Sequence, residues 1–176
     1  MKCYNTAMKI MNKLLVSLLF LFPLLGFSQT LDQKVDSILA LMTTQQKIDQ
    51  LINNGFMTTP ANTTLNIPGF VMADGPHGYR FGNATAFPVG ISMTATWDKD
   101  LWYKIGRAMG QEFRGYGAGV QLGPCIDLCR DPRNGRSPET AGEDPFLASR
   151  VAENIVKGIQ STPLLATVKH YNCVNR

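Results

Sequence analysis

Cysteine is scarce in this chain, four residues in 176, and net charge is small. Beyond the first few residues only Cys125, Cys129 and Cys173 remain, an odd number for a disulfide framework. The intervening Ile126-Asp127-Leu128 reads as extended chain. That spacing sets the Cα atoms of Cys125 and Cys129 roughly 13 Å apart, too far for a bridge. A zinc site from Cys125, Cys129, His170 and Cys173 has no recognised ligand spacing, so no metal is expected and the thiols read as small buried groups. Internal repeats and low-complexity tracts are absent. Gly115-Tyr116-Gly117-Ala118-Gly119 follows a helix pattern and not a strand, so it fails as a dinucleotide fingerprint and reads as a helix stop. No cofactor is implied.

The one long apolar run lies at the start. Lys2, Lys9 and Lys13 occur with no acid up to Lys13, Leu14 to Phe27 is almost wholly apolar, and Gly26-Phe27-Ser28 offers a small-residue exit. This is the layout of a secretory signal peptide over residues 1–28, with Met11 an alternative start and an apolar core too short to span a bilayer. No cysteine follows closely to carry a lipid. The expectation is export, to the periplasm or the outside of the cell, with no membrane partner after cleavage. The formal charge of +4 sets 17 Lys and Arg against 13 acids; without the three leader lysines it falls to about +1, which gives no reason to expect a nucleic-acid partner.

Residues 29–176 are enough for one domain core. Val35, Ile38, Leu39 and Met42 recur at helical spacing, and Thr43 with Gln46 reads as a capping box for a second helix carrying Ile48, Leu51 and Ile52, stopped at Asn53-Asn54-Gly55. Asn62 and Asn83 open sequons that matter only in a eukaryotic secretory host. Phe70 to Ala73 reads as a strand ending in the turn Asp74-Gly75-Pro76, and Phe87 to Met93 as a second strand. Asp98 caps a helix with Leu101, Ile105, Ala108 and Met109 on one face. Val120 to Gly123 begins a strand. Asp144-Pro145 opens a helix through Val151, Ile155 and Ile159, and Leu164 to Val168 is a buried-type strand. The βαβα order predicts an α/β fold with a parallel sheet and helices outside it.

Unusual polar residues fall just after the strands: Asp74 and Arg80, then Asp127 and the loop Arg130-Asp131-Pro132-Arg133-Asn134-Gly135-Arg136, then Lys169-His170. Carboxyl ends of parallel strands are where such folds bind ligands. One acceptor, Asp74, among the donors Arg80, Arg136, Lys169 and His170 suits a ring of hydroxyls, whereas a phosphate would want donors only.

The chain resembles the amino-terminal portion of glycoside hydrolase family 3. The resemblance rests on Ala73-Asp74-Gly75-Pro76-His77-Gly78-Tyr79-Arg80, on Phe87-Pro88-Val89-Gly90 with Thr96-Trp97-Asp98, on Arg130 to Arg136 with Glu139 and Glu143-Asp144-Pro145, and on Val168-Lys169-His170-Tyr171. It implies the amino-terminal part of a (β/α)₈ TIM-type barrel, incomplete in this chain, with an α/β sandwich domain to follow. It implies retaining hydrolysis of terminal non-reducing β-glycosyl, chiefly β-glucosyl, residues. Asp74, Arg80, Arg136, Lys169 and His170 would bind the terminal sugar, and Glu139, Glu143 and Asp144 would brace arginines and cap the helix. Asn134 stands where the family commonly has Trp. The family's nucleophile and acid/base match no position here and are expected beyond Arg176; Asp127 and Asp131 lack the nucleophile's motif. The chain is therefore expected to be a fragment, inactive alone, whose partners are a β-linked oligosaccharide or glycoside and the remainder of the barrel with the second domain. The alternative is a carbohydrate-binding remnant that has lost the chemistry. An unrelated α/β metal or nucleotide protein is a third reading. The absence of Pro-Gly-His-Gly after His170 disfavours the N-acetylglucosaminidase branch.

Overall fold

The computed structural model describes residues 29–171 and Val174. The expected leader, 1–28, lies outside the described residues, as do Cys173 and Arg176, the residue beyond which the nucleophile and acid/base are expected. Helix α1, Leu31–Leu41, forms a unit of its own with the residues up to Met42. Thr30 caps it, accepting from Gln33 N while the Gln33 side chain accepts from Thr30 N, so two otherwise orphaned donors are satisfied.

The second unit begins with α2, Thr44–Asp49, closed by the expected Thr43–Gln46 capping box. It is shorter than its apolar pattern. Leu51 and Ile52 fall in the turn after it and stay exposed, because no residue of that stripe is buried and packing is what lengthens a marginal helix. Three parallel strands follow in the order β1 (Met72–Asp74), β2 (Val120–Cys125), β3 (Leu165–Lys169). Met72 pairs with Val120 and Val120 with Leu165, so the strand ends Asp74, Cys125 and Lys169 emerge on one side.

Phe87 to Met93 is not a strand. Gly90–Thr94 forms a short helix, α3, and its buried residues Gly90, Met93 and Thr94 stand at i, i+3 and i+4. A short apolar run carries too few repeats to separate the two periods. Gly90 settles the matter by position, since a Cβ there would lie 2.4 Å from the Glu139 carbonyl oxygen.

Helix α4, Lys99–Gly115, crosses from β1 to β2, and α5, Pro145–Gln160, from β2 to β3. Asp98 accepts from Asp100 N and Leu101 N at the start of α4. The buried stripe of α4 is Trp102, Gly106, Met109, Gly110 and Phe113, turned one position from the expected face. Trp102 can be buried because its indole N–H donates to Met93 O at 2.7 Å and Thr96 Oγ1 at 3.1 Å. Helix α5 keeps its expected face, Ala148, Val151, Ile155, Gly158 and Ile159, with Asp144 as cap and Pro145 at its first position. The two helices pack on each other at glycine: a Cβ on Gly158 would meet Tyr103 O at 2.2 Å, and one on Gly106 would meet Ile155 O at 2.4 Å. Met109, Phe113, Ile155 and Ile159 are fully enclosed, each burial stabilising by about 1.5–3 kcal/mol. Strand β3 differs from expectation. Leu164 is buried, but Leu165 and Val168 are 51 % and 46 % exposed, since β3 is the edge of the described sheet.

Candidate functional site

The chain leaves β1 at Asp74 and reverses through Gly75-Pro76-His77-Gly78. Only glycine fits at two of these positions: Gly78 has φ +120°, and a Cβ on Gly75 would sit 1.8 Å from the Gly78 carbonyl oxygen. The reversal returns Arg80 to Asp74 Oδ2, with which its guanidinium forms an ion pair. From the end of β3, two strands away, Lys169 Nζ donates to Asp74 Oδ1 at 2.5 Å. Asp74 and Lys169 are each 16 % exposed at the side chain. Burial alone would raise the Asp74 carboxyl, but the hydrogen bonds and charges of Lys169 and Arg80 outweigh it and hold the group below the usual carboxylate range.

A second network begins at the end of β2. Glu139 receives Arg136 in a two-point fork, Nε to Oε1 at 2.9 Å and Nη2 to Oε2 at 2.7 Å. The third guanidinium nitrogen of Arg136, Nη1, lies 3.0 Å from His170 Nε2. Guanidinium can only donate, so Nε2 accepts and the ring proton sits on Nδ1. From there it reaches Asp127 Oδ2 at 2.6 Å, which also takes the Cys125 thiol at 3.1 Å. Every link thus has a fixed direction, with Glu139 and Asp127 as terminal acceptors. The Arg136 hydrogen bonds and charge depress Glu139 against a smaller effect of burial. Burial pushes Asp127 up, but bonds from His170 and Cys125 bring it below its ordinary value. The Cys125 thiol is pushed up to about 12, by burial first and then by the Asp127 carboxylate, so it stays protonated.

The two networks border one cleft of about 230 Å³, lined by Asp74, Pro76, His77, Arg80, Arg136, Glu139 and Lys169. A larger cleft of about 740 Å³ lies where the strands begin, against Phe70, Val71, Gly119 and Leu165. Its one ionic lining group, Arg114, is tied to Ala118 O, so the titratable chemistry is at the smaller cleft. There, a carboxylate held by two cations and flanked by further donors suits a ligand whose groups both give and accept hydrogen bonds.

Four of the five expected site residues line this cleft, Asp74, Arg80 and Lys169 from one network and Arg136 from the other, while His170 is not among the lining residues and connects to it through Arg136. The arginine loop divides. Arg133 forks onto Asp131 with Nη2–Oδ2 2.6 Å, an exposed local pair, whereas Arg136 turns inward. Glu139 is the brace; Asp144 caps α5 through Phe146 N at 2.8 Å; Glu143 is exposed and forms no ion pair among the described residues. Asn134, buried, fills its position by accepting from Arg136 N at 3.0 Å. Of the four-residue zinc set, Cys125 Sγ and His170 Nδ1 lie 3.8 Å apart.

Three participants were not among the expected sugar-site residues, although Asp127 was noted as a strand-end polar group and Cys125 in the zinc set. His77 lines the cleft, its Nε2 accepting from Gly90 N at 3.2 Å, and burial lowers its pKa against the pull of Glu139. Asp127 and Cys125 carry the His170 end. Position at or just beyond the ends of β1 and β2 is the available signal, though a turn histidine and a strand cysteine are usually structural.

The family model described as "Glycosyl hydrolase family 3 N terminal domain" matches residues 27–174. The chain is 36 % identical over 153 residues to beta-glucosidase B of Emericella nidulans, covering 84 % of this chain and 18 % of that protein. It is 36 % identical to a beta-glucosidase of Rhizobium radiobacter over 78 % of this chain and 18 % of the relative. It thus spans about a fifth of the length of these curated relatives. Among solved structures it matches beta-glucosidase 3B from Thermotoga neapolitana in complex with glucose at 34 % identity and a TM-score of 0.73, covering 78 % of this chain and 23 % of that one. The beta-glucosidase of Kluyveromyces marxianus in complex with glucose matches at 34 % identity and a TM-score of 0.75, covering 79 % and 17 %. The three parallel strands with α4 and α5 outside them are accordingly the amino-terminal part of a TIM-type barrel.

Proposed function

This chain belongs to glycosyl hydrolase family 3, and on that premise we propose that Asp74, Arg80, Arg136, Lys169 and His170 hold the terminal non-reducing β-glucosyl residue of a glycoside during hydrolysis. The observation that carries this reading is the sharing of one carboxylate, Asp74, by Lys169 and Arg80 at the rim of the cleft that Arg136 also lines. A sugar hydroxyl placed there can donate to the carboxylate and accept from an ammonium or guanidinium, and each charged hydrogen bond is worth about 1.5–3 kcal/mol.

The hydrolysis itself is retaining: one carboxylate attacks the anomeric carbon, a second carboxyl protonates the leaving oxygen, and the two stand about 5 Å apart. Asp74, Asp127 and Glu139 suit a holding role and not that of the acid. A general acid needs a raised pKa, and all three are depressed by hydrogen-bonding partners. On this reading the nucleophile and the acid/base belong to other parts of the family's fold, and the residues described here hold the sugar without cutting it. The lysine-flanked apolar leader supports a site of action outside the cytoplasm.

Calorimetric titration with methyl β-D-glucopyranoside tests the holding role. One site per chain is expected, with Asp74→Asn weakening it about tenfold or more; no binding, or binding indifferent to Asp74→Asn, overturns it. Turnover of an aryl β-glucoside by the purified chain would overturn the division between holding and cutting.

A further inference from the structure

Three atoms of metal-ligand type meet beside the cleft, at the ends of two strands. Cys125 Sγ, Asp127 Oδ2 and His170 Nδ1 all lie within 4.8 Å of one another. The side chain of Asp127 is 7 % exposed and Cys125 is 7 % exposed, whereas His170 at 25 % leaves an approach from solvent. We propose that this triad is a binding site for a thiophilic divalent cation of the Zn²⁺ class, with one coordination position open.

The donor set selects the ion. Mg²⁺ and Ca²⁺ take oxygen ligands, whereas Zn²⁺ takes thiolate at about 2.3 Å and imidazole and carboxylate at about 2.0 Å. Tetrahedral angles at those lengths put sulfur about 3.5 Å from each lighter ligand and nitrogen about 3.3 Å from oxygen. Sγ and Nδ1 already stand 3.8 Å apart. The contacts at 3.1 Å and 2.6 Å both fall on Asp127 Oδ2, so a small rotation of that carboxylate opens the pocket. A thiolate and a carboxylate also carry two negative charges, so the loaded centre is neutral and tolerates its partial burial.

The proton balance gives the site a consequence. Loading releases the Cys125 S–H proton to solvent as the S–Zn bond forms. The imidazole stays neutral, its proton passing from Nδ1, now bound to the ion, to Nε2. Nε2 then faces Arg136 Nη1 as donor against donor, where it had accepted at 3.0 Å. The ion therefore uncouples Arg136 from His170. The site does not depend on the glycosidase reading, and neither does its test.

The probe is Co²⁺ titrated into the purified chain and followed by absorption, with Zn²⁺ and Mg²⁺ as competitors. One equivalent should give a thiolate-to-cobalt charge-transfer band with intense tetrahedral d–d bands. Zn²⁺ should erase them and Mg²⁺ should not. Cys125→Ala should abolish the charge-transfer band and weaken binding at least tenfold, while Cys129→Ser keeps both. His170→Asn leaves the Cys125 packing in place and should weaken binding equally, so the outcome does not hang on one variant's folding, itself followed by circular dichroism. No thiolate band in the unaltered chain overturns the proposal. So does a band that survives Cys125→Ala, or one lost only with Cys129→Ser or Cys173→Ser.

Discussion

The helix pair and the third strand are finished to different degrees. Helices α4 and α5 enclose Met109, Phe113, Ile155 and Ile159 and meet at Gly106 and Gly158 with no room for one more carbon. Strand β3 leaves Leu165 and Val168 about half exposed, yet its last residue, Lys169, and the histidine after it join both polar networks. The local β–α units supply their own packing, because a strand and its crossover helix bury each other's apolar faces. The site is assembled across the sheet and owes its geometry to strand register. The apolar packing and the polar strand-end networks therefore draw on largely separate sets of residues.

Substitution in the helix pair should have the largest effect. Gly158→Val drives a branched side chain into the backbone around Tyr103 and Arg107, and a loss of about 3 kcal/mol or more is expected by urea denaturation. Next comes Asp74→Asn, which leaves Lys169 facing a neutral partner. With the site partly solvated, a cost of about 1–3 kcal/mol is expected in the same assay, together with the loss of sugar affinity.

Acid should weaken the fold in two stages. His77 is depressed below its ordinary 6.5, so the unfolded chain takes up that proton first and stability declines as pH falls from about 6.5. Asp74 and Asp127, ordinarily 3.8, and Glu139, ordinarily 4.5, are depressed as well. Their contribution is full above those values and is lost as pH drops through the lower folded ones, so the decline steepens below about pH 4. Urea midpoints between pH 8 and 3 check this, and a midpoint that rises on acidification contradicts it. The smallest effect belongs to β3: Leu165→Thr should shift stability by no more than about 0.5 kcal/mol, and a larger shift would erase the contrast.

Much of this contrast was readable in the residues. Asp98 and Asp144-Pro145 announced the two long helices, and the polar residues just past each strand announced the cleft. Other features depended on the fold. The run Phe87 to Met93 is too short to distinguish a strand from α3, and Gly90 decides it only through a carbonyl oxygen contributed by Glu139. The α4 stripe turned toward Trp102 because Met93 and Thr96, from another element, accept its N–H. Asp127 and Cys125 join the site through a histidine more than 40 residues away, as the separations of 43 and 45 show, a pairing that no local pattern encodes.

The proposed role of the strand ends is that of a directed donor–acceptor network that holds a sugar. The nitrogen chemical shifts of the His170 imidazole, followed while glucose is added, test it most directly. The Nδ1–H tautomer is expected in the free chain, with saturable shifts of Nε2 as glucose meets Arg136 and its neighbours. An Nε2–H tautomer, or shifts that ignore glucose, would contradict that role.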